Sequence, residues 1–241
     1  RHVSSLSHAL TLLGMRRVRS LVLGRYIVDS LDRHARTLIS VPYFWQRSLT
    51  RAVLSGQFAA HLEPQAREET FIAGLLADVG VIILDEAMPK DYGEIAAEYR
   101  PDGPTDLAKR ELALIGVDHG EVSAMVLAHW QLPDVVCDAV AGHPWELEKP
   151  EASPLSRLVG AADILSKHLC DSQPEVDRVL NLCDELNTSL RIDSGKLTTL
   201  IVGIEPHITE FAQMLRIQLS GTEEYRKFES ALQAHLQPAA S

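Results

Sequence analysis

Four polar side chains lie within or beside apolar segments of the sequence and have the chemistry to form a site. Residues 71–84 read FIAGLLADVGVIIL and contain a single charge, Asp78. Burying a lone carboxylate is unfavourable unless another group pairs with it, so Asp78 requires a partner. Asp163 lies in a similar apolar segment, and His119 and His143 lie near predicted helix ends. Carboxylates and imidazoles are suitable ligands for zinc, manganese or iron.

The spacing of these four residues does not by itself bring them together. From the residue pattern alone we expect His119 and His143 to cap helix ends or to lie at the surface. Asp78 is not expected at the surface, because its apolar neighbours in the sequence predict that it is buried. The partner of Asp78 is therefore the first question that the sequence raises.

The elements that must position these residues are predicted to be helices. Apolar residues recur at helical spacing almost everywhere, and Gly or Pro separates the segments. Residues 79–84 are rich in β-branched side chains and could form a strand in isolation, but no partner strand is visible. The fold class is therefore all-α. The predicted helices cover residues 3–13, 15–31, 42–62, 89–99, 105–115, 118–130, 133–142 and 155–169, with three or four more after Pro174. A further segment that opens at about Glu68 contains Asp78.

Composition and cysteine usage indicate a globular cytoplasmic protein. The 241 residues are 46% hydrophobic and 23% charged, which is enough for a substantial core. No apolar run reaches the length of a membrane span, and the first residues lack the hydrophobic region of a signal peptide. Cys137, Cys170 and Cys183 form no CxxC pair, so reduced structural thiols are expected.

Charge is distributed unevenly along the chain. Residues 1–51 carry nine arginines against two aspartates, whereas the remainder holds 14 basic and 31 acidic residues. An acidic body argues against general nucleic-acid binding. The basic segment either forms a solvated helix face or meets an acidic partner or an absent part of its own chain. Its interface candidates are Arg16, Arg17 and Arg19.

Several motifs together carry a family resemblance. The segment GLLADVG (74–80) resembles the GLLHDIG segment of the HD metal-dependent phosphohydrolases, and more closely their HDOD branch of signalling output domains. The resemblance covers residues 1 to about 170 and implies an HD-like helical bundle that lacks upstream helices, with residues 171–241 as a C-terminal helical extension. The other matching segments are ALTLLGMRRVRSLVL (9–23), WQRS (45–48), MPKDY (88–92), Glu111 with GVDH (116–119), WQLP (130–133), GH (142–143) and AADIL (161–165).

The chain departs from the HD pattern at two metal-ligand positions. The first ligand histidine of HD hydrolases matches Arg47, and the histidine of their His-Asp pair matches Ala77. The resemblance implies that only Asp78 and Asp163 remain of that metal site. The vestigial positions, including two that contact a second metal or the substrate in some relatives, are Arg47, Ala77, Asp78, Asp163, His119 and His143.

The substitutions predict an ion-pair cluster in place of a metal. A methyl group is no ligand, and a permanent cation opposes metal binding. Arg47 is expected to supply the positive charge that the metal once did, forming buried ion pairs with Asp78 and Asp163. We therefore expect no metal, no cofactor and no catalytic residue.

The resemblance implies a bacterial signal-transduction module that acts as a non-catalytic interaction scaffold. Its implied partners are receiver domains and domains that make or degrade cyclic-di-GMP, with no membrane or nucleic acid expected and self-association left open. Two alternatives remain. One is a nucleotide or cyclic-dinucleotide sensor, and the other is a residual phosphohydrolase that uses Asp78, Asp163, His119 and His143.

Overall fold

The computed structural model describes residues 38–145, 153–219 and 222–236, and all regular elements in these ranges are helical. The all-α prediction is confirmed. Two short 3-10 helices cover Pro64–Ala66 and His143–Trp145. The α-helices are α1 (Val41–Leu62), α2 (Arg67–Leu76), α3 (Val79–Ala87), α4 (Gly93–Ala96), α5 (Leu107–Ile115), α6 (His119–His129), α7 (Asp134–Gly142), α8 (Pro154–Leu169), α9 (Val176–Leu190), α10 (Ser194–Ile201), α11 (Glu205–Leu215) and α12 (Thr222–Leu236).

Helix α1 runs through the middle of the bundle. Pro42 lies in its first turn, where the missing backbone N–H is not needed for a helical hydrogen bond. The helix packs against α2, α8, α10 and α11, so almost its whole circumference is buried. Two of its buried residues, Arg47 and Arg51, are charged. Because they lie four residues apart, their side chains leave the same face of the helix.

The segment around Asp78 is helical on both sides of a turn. It contains two helices, because α2 ends at Leu76 and α3 begins at Val79, with Ala77 and Asp78 in the turn between them. The β-branched residues 79–84 lie in α3, and no strand is found in the described residues. The turn places the carboxylate of Asp78 at the start of a helix and inside the bundle, where it is fully buried.

The predicted helix over residues 89–99 is wrong in extent. Only α4, Gly93–Ala96, is helical, and the flanking residues form turns. The side chains of Tyr92 and Tyr99 explain this path, because their hydroxyls donate hydrogen bonds to two buried carboxylates, Glu111 and Asp78. The backbone follows these two anchors instead of continuing as a regular helix.

The helix boundaries near His119 agree with the sequence. Gly116 ends α5 with a φ of 76°, a left-handed conformation that glycine adopts without strain. Asp118 then caps α6, since its side chain accepts a hydrogen bond of 2.9 Å from the backbone N–H of Glu121. This cap sets where α6 begins and therefore where His119 lies.

The C-terminal helices pack directly on helices that carry residues of the Asp78 cluster. Helix α9 packs on α8, and α11 packs on α1. The rings of Phe71 and Phe211 lie 4.6 Å apart and join α2 to α11. The proposed boundary near residue 170 stays a prediction. Cys137, Cys170 and Cys183 are buried free thiols.

The predictions for the N-terminal segment fall outside the described residues. They concern the helices over residues 3–13 and 15–31 and the interface candidates Arg16, Arg17 and Arg19. Among the helices that the structure describes, none combines the length and apolar character that a membrane span requires.

Gly80 provides a direct test of how closely α3 and α6 approach. A Cβ at Gly80 would lie 2.1 Å from the backbone oxygen of His119, whereas a Cβ at Gly56 in α1 would meet only ordinary contacts, the nearest at 3.5 Å. We expect Gly80→Ala to lower the free energy of unfolding by about 2–4 kcal/mol, because the two helices must separate. Gly56→Ala should be neutral or stabilising by up to about 1 kcal/mol, since alanine favours helix. Urea denaturation measures both, and equal stability of the two variants would contradict the close approach.

Candidate functional site

Arg51 is the central cation of the buried site. Its side chain has no exposed surface, and its Nη1 lies 2.7 Å from Asp78 Oδ2 and 2.6 Å from Asp163 Oδ1. Its Nε donates a hydrogen bond of 2.7 Å to the backbone oxygen of Gly74. One guanidinium therefore joins α1 to α2, to the turn before α3 and to α8. Such directed contacts suit the planar fork of arginine better than the single ammonium of lysine.

Arg47 lies one turn earlier and acts mainly on Asp163. Its Nη2 donates to both oxygens of Asp163, at 2.8 and 2.9 Å, while its Nη1 lies 3.7 Å from Asp78 Oδ2. The guanidinium carbon also lies 5.1 Å from the centre of the Tyr99 ring, within cation–π distance. Two arginines thus share the two carboxylates, with Arg51 the closer partner of Asp78.

The charges of this cluster stabilise one another. Burial by itself would raise the pKa of Asp78, but Arg51 and Arg47 hold it well below its usual range. The same arginines lower the pKa of Asp163 against the effect of burial. Burial and the adjacent carboxylate of Asp78 raise the pKa of Tyr99 well above its usual value, so its hydroxyl remains a donor. Asp78 is therefore an ionised carboxylate held by two guanidiniums and a phenol.

Two glycines allow the helices to come close enough for these contacts. A Cβ at Gly74 would lie 2.7 Å from the hydroxyl oxygen of Ser55 and 3.0 Å from the Cα of Ala52, so α2 lies almost against α1. Gly80 gives the equivalent approach of α3 to α6. Ser123 stabilises the contact between α3 and α6, because its hydroxyl donates a hydrogen bond to the Ala77 carbonyl and accepts one from the Gly80 N–H. The glycines of GLLADVG therefore position Asp78 from both sides.

Two histidines face the other oxygen of Asp78. His119 Nε2 lies 3.6 Å from Asp78 Oδ1 and His143 Nε2 lies 3.3 Å from it. Their rings are 5.2 Å apart in an edge-to-face arrangement. Both side chains are buried, so the alternative that they lie at the surface is wrong. The capping alternative holds for His143, which is the C-cap residue of α7 and whose Nδ1 lies 2.6 Å from the Val140 carbonyl oxygen. The tertiary packing of α3, α6 and the end of α7 brings them together.

Glu111 fixes the orientation of His119. Its Oε2 accepts a hydrogen bond of 2.7 Å from the backbone N–H of His119 and lies 2.7 Å from Nδ1 of the same residue. Burial alone would lower the pKa of His119, but the carboxylates of Glu111 and Asp78 raise it to about 9. In this structure the imidazole of His119 is therefore the cation that balances Glu111.

A cavity of about 390 Å³ opens beside the cluster. Arg47, His119 and His143 line it, together with residues from α5, α8 and α9. Its lining carries charges of both signs. The charged residues that line it are Arg47, Arg100, Lys109, Lys167 and Arg178 against Glu98, Asp106, Asp163 and Glu185.

The structure brings five of the six vestigial positions to one point around Asp78. Asp78, Asp163, Arg47, His119 and His143 meet there, while Ala77 contributes a buried methyl group and its carbonyl oxygen. The residues that sequence reasoning missed are Arg51, Glu111 as the partner of His119, and Tyr99. A signal for Arg51 exists in the sequence, because it follows Arg47 by one helical turn.

The residues present fit one metal arrangement and exclude another. A metal shared by Asp78 and Asp163 does not fit, because the Nη1 atom of Arg51 lies 2.7 and 2.6 Å from these two carboxylates. Asp78, His119 and His143, by contrast, offer ligand atoms that lie within 4.8 Å of one another. The buried carboxylate thus has one side taken by arginine and one side facing imidazoles.

The arginines can be tested by truncation. Arg51→Ala should lower the free energy of unfolding by about 3–5 kcal/mol, because two buried carboxylates lose their closest partner. Arg47→Ala should cost less, about 2–3 kcal/mol, since Arg51 still contacts Asp163. Arg178 is an exposed arginine that lines the same cavity, and the free energy of unfolding of Arg178→Ala should stay within about 0.5 kcal/mol of the parent value. Chemical denaturation at pH 7 measures all three, and an Arg51→Ala protein as stable as the Arg178 variant would contradict the central role of Arg51.

Comparisons with solved structures reveal relatives with the same fold. A candidate phosphohydrolase from Shewanella amazonensis SB2B is 21% identical, with a TM-score of 0.71 over 89% of this chain and 78% of that chain. The MmoQ response regulator from Methylococcus capsulatus is 27% identical, with a TM-score of 0.53 over 83% of this chain and 76% of that one. An HDOD domain protein of unknown function from Geobacter sulfurreducens is 18% identical, with a TM-score of 0.58 over 89% and 75% of the two chains.

The family comparison agrees with the resemblance found in the sequence. No curated protein matches the chain. The HDOD domain family matches residues 1–144, which is more than half of the sequence and includes α1 to α7. Because the match covers more than half of the sequence, the chain belongs to the HDOD domain family.

Proposed function

We propose that the chain is a non-catalytic signal-transduction module that binds other signalling proteins. The observation that carries this proposal is the position of Arg51, whose guanidinium lies between Asp78 and Asp163, where a metal shared by these two carboxylates would have to bind. A metal-activated water is the usual nucleophile of metal-dependent hydrolysis. The ion pairs of the cluster instead hold neighbouring helices together and stabilise the folded state.

The comparisons support a role in signalling. The MmoQ protein, to which this chain is 27% identical, is named as a response regulator. Receiver domains and domains that make or degrade cyclic-di-GMP are therefore the first partners to test. The arginine-rich segment around Arg16, Arg17 and Arg19 is the proposed contact surface, because the remainder of the chain is strongly acidic.

Hydrolysis is the first measurement. The purified chain should not cleave phosphomonoesters, phosphodiesters or cyclic dinucleotides in the presence of Mg²⁺, Mn²⁺, Fe²⁺ or Zn²⁺. The matched control is Asp163→Asn, which removes a charge of the cluster and should give the same background signal as the parent. Turnover by the parent that disappears in Asp163→Asn would contradict the non-catalytic assignment.

Partner binding is the second measurement. Immobilised chain should bind at least one of a panel of receiver, cyclic-di-GMP-synthesising and cyclic-di-GMP-degrading domains. The triple variant Arg16→Glu, Arg17→Glu, Arg19→Glu should weaken that binding by roughly tenfold or more, because like charges then oppose each other across the interface. The exposed Arg178→Glu serves as the control for a general charge effect. Equal weakening by the control would remove the N-terminal segment as the contact surface, and no binding by any domain would exclude this partner class.

A further inference from the structure

We propose that the segment between Tyr99 and Leu107, residues 100–106, is a lid over the cavity and that Asp171 holds this lid closed. Asp171 lies in the connection between α8 and α9, residues 170–175. Access to the cavity then depends on where this connection lies. The lid residues that line the cavity are Arg100, Pro104, Thr105 and Asp106.

Two reciprocal hydrogen bonds join the lid to this connection. The backbone N–H of Asp102 donates to Asp171 Oδ1 at 3.0 Å, and the backbone N–H of Ser172 donates to Asp102 Oδ1 at 3.1 Å. Each aspartate therefore accepts a hydrogen bond from the backbone of the other segment. An ionised acceptor makes such bonds stronger than those between neutral groups. We call this pair of hydrogen bonds the latch.

The carboxylate of Asp171 is itself held by neighbouring side chains. The buried Lys167 donates from Nζ to Asp171 Oδ1 at 3.1 Å and to the carbonyl oxygen of Arg100 in the lid at 3.4 Å. His168 Nδ1 lies 3.3 Å from Asp171 Oδ2. Partial burial by itself raises the pKa of Asp171, but the contacts with His168, Asp102 and Lys167 lower it to about 2. Asp171 is therefore an ionised acceptor at neutral pH.

The two ends of the lid are fixed in the core. Tyr99 is buried and its hydroxyl donates a hydrogen bond to Asp78. Leu107 is also buried, and it is the first residue of α5. Movement is therefore confined to the residues between these two anchors, and the lid opens without breaking the ion pairs around Asp78.

The lid is less firmly held than the core. Asp102 and Ser172, which form the latch, are both exposed to solvent. Asp102 has a φ of 58°, a left-handed conformation that is costly for residues other than glycine. Segments held by a few exposed hydrogen bonds open at a lower free energy than the core does. The latch is therefore what keeps the lid closed.

Helix α9 connects the latch to the C-terminal helices. It begins directly after the connection that holds Asp171, it packs on α8, and it lines the same cavity with Arg178, Leu182 and Glu185. A shift of α9 relative to α8 would therefore move the latch and one wall of the cavity together. A molecule that binds the C-terminal helices would in this way change access to the cavity. This device does not depend on the proposed role in protein binding.

Amide hydrogen exchange of the full chain, resolved by NMR, tests the latch. Asp102→Gly removes the acceptor of the Ser172 N–H, while glycine adopts the φ of 58° without strain. After correction for intrinsic rates, the amide of residue 102 should exchange roughly fivefold faster, about the effect of one lost hydrogen bond, although its own acceptor Asp171 is intact. Asp171→Ala should in turn accelerate exchange at Ser172, whose acceptor Asp102 remains.

The matched control is Asp102→Asn. Asparagine keeps an acceptor oxygen and tolerates the left-handed conformation, so exchange at residue 102 and at Ser172 should stay close to that of the parent. Acceleration confined to the amide whose own acceptor was removed would show two independent contacts and would overturn the latch.

Thiol labelling of the full chain tests the lid. Ile164→Cys places a thiol on α8 at a residue that lines the cavity. A bulky maleimide is the reagent, and peptide mass spectrometry gives separate rates for the introduced thiol and for the buried Cys170 and Cys183. Adding Asp102→Gly should raise the labelling rate of the introduced thiol roughly fivefold, because one hydrogen bond of the closed lid is lost. The rates of the two native thiols should not change.

Thr105→Gly in the same lid controls for the added flexibility of glycine and should leave labelling of the introduced thiol unchanged. Equal labelling with and without Asp102→Gly would overturn the lid. An equal acceleration at the native thiols would do the same, because it would indicate general destabilisation. If Ile164→Cys does not fold, Leu182→Cys on α9 lines the same cavity and replaces it as the probe.

Discussion

The ion pairs of Arg51 with Asp78 and Asp163 are the interaction on which the rest of the structure depends. Moving these three charges into an apolar interior is costly, and close directed contacts are needed to offset that cost. The contacts are made only if α1, α8 and the turn before α3 meet at one point. Gly74 and Gly80 remove the side chains that would keep the helices apart. The position of each neighbouring helix therefore follows from the requirement to pair one buried guanidinium.

The two oxygens of Asp78 have different chemical surroundings, and this difference organises the site. Oδ2 faces Arg51, Arg47 and the hydroxyl of Tyr99. Oδ1 faces two imidazoles. On the first side a permanent cation takes the place that a shared metal requires, and on the second side the imidazolium of His119 lies beside the ring of His143.

The helices on the two sides of Asp78 also contact one another. The arginines connect α1, α2 and α8. The histidines belong to α6 and to the end of α7, where α6 packs against α3 and α7, and α7 packs against α2 and α8. The two sides of the site therefore belong to one packed core.

The sequence by itself determined the helical fold and most helix boundaries, because apolar periodicity, caps and breakers act over a few neighbouring residues. The family was identified from the resemblance of GLLADVG and the other matching segments. The helix over residues 89–99 was predicted too long, since the tertiary anchors of Tyr92 and Tyr99 are invisible to local patterns. The apolar neighbours of Asp78 were sufficient to predict that it needs a cation.

Only the tertiary structure decided which cation is closest and what lies on the other side of Asp78. Arg51 and Asp163 are 112 residues apart in sequence, so their contact depends on how α1 and α8 pack. His119 and His143 lie at helix ends, as one of the two expectations had it, but both are buried because tertiary packing brings these helix ends to the turn that holds Asp78. Residue type states what chemistry a side chain can perform, but the close packing of distant helices determines which side chains meet.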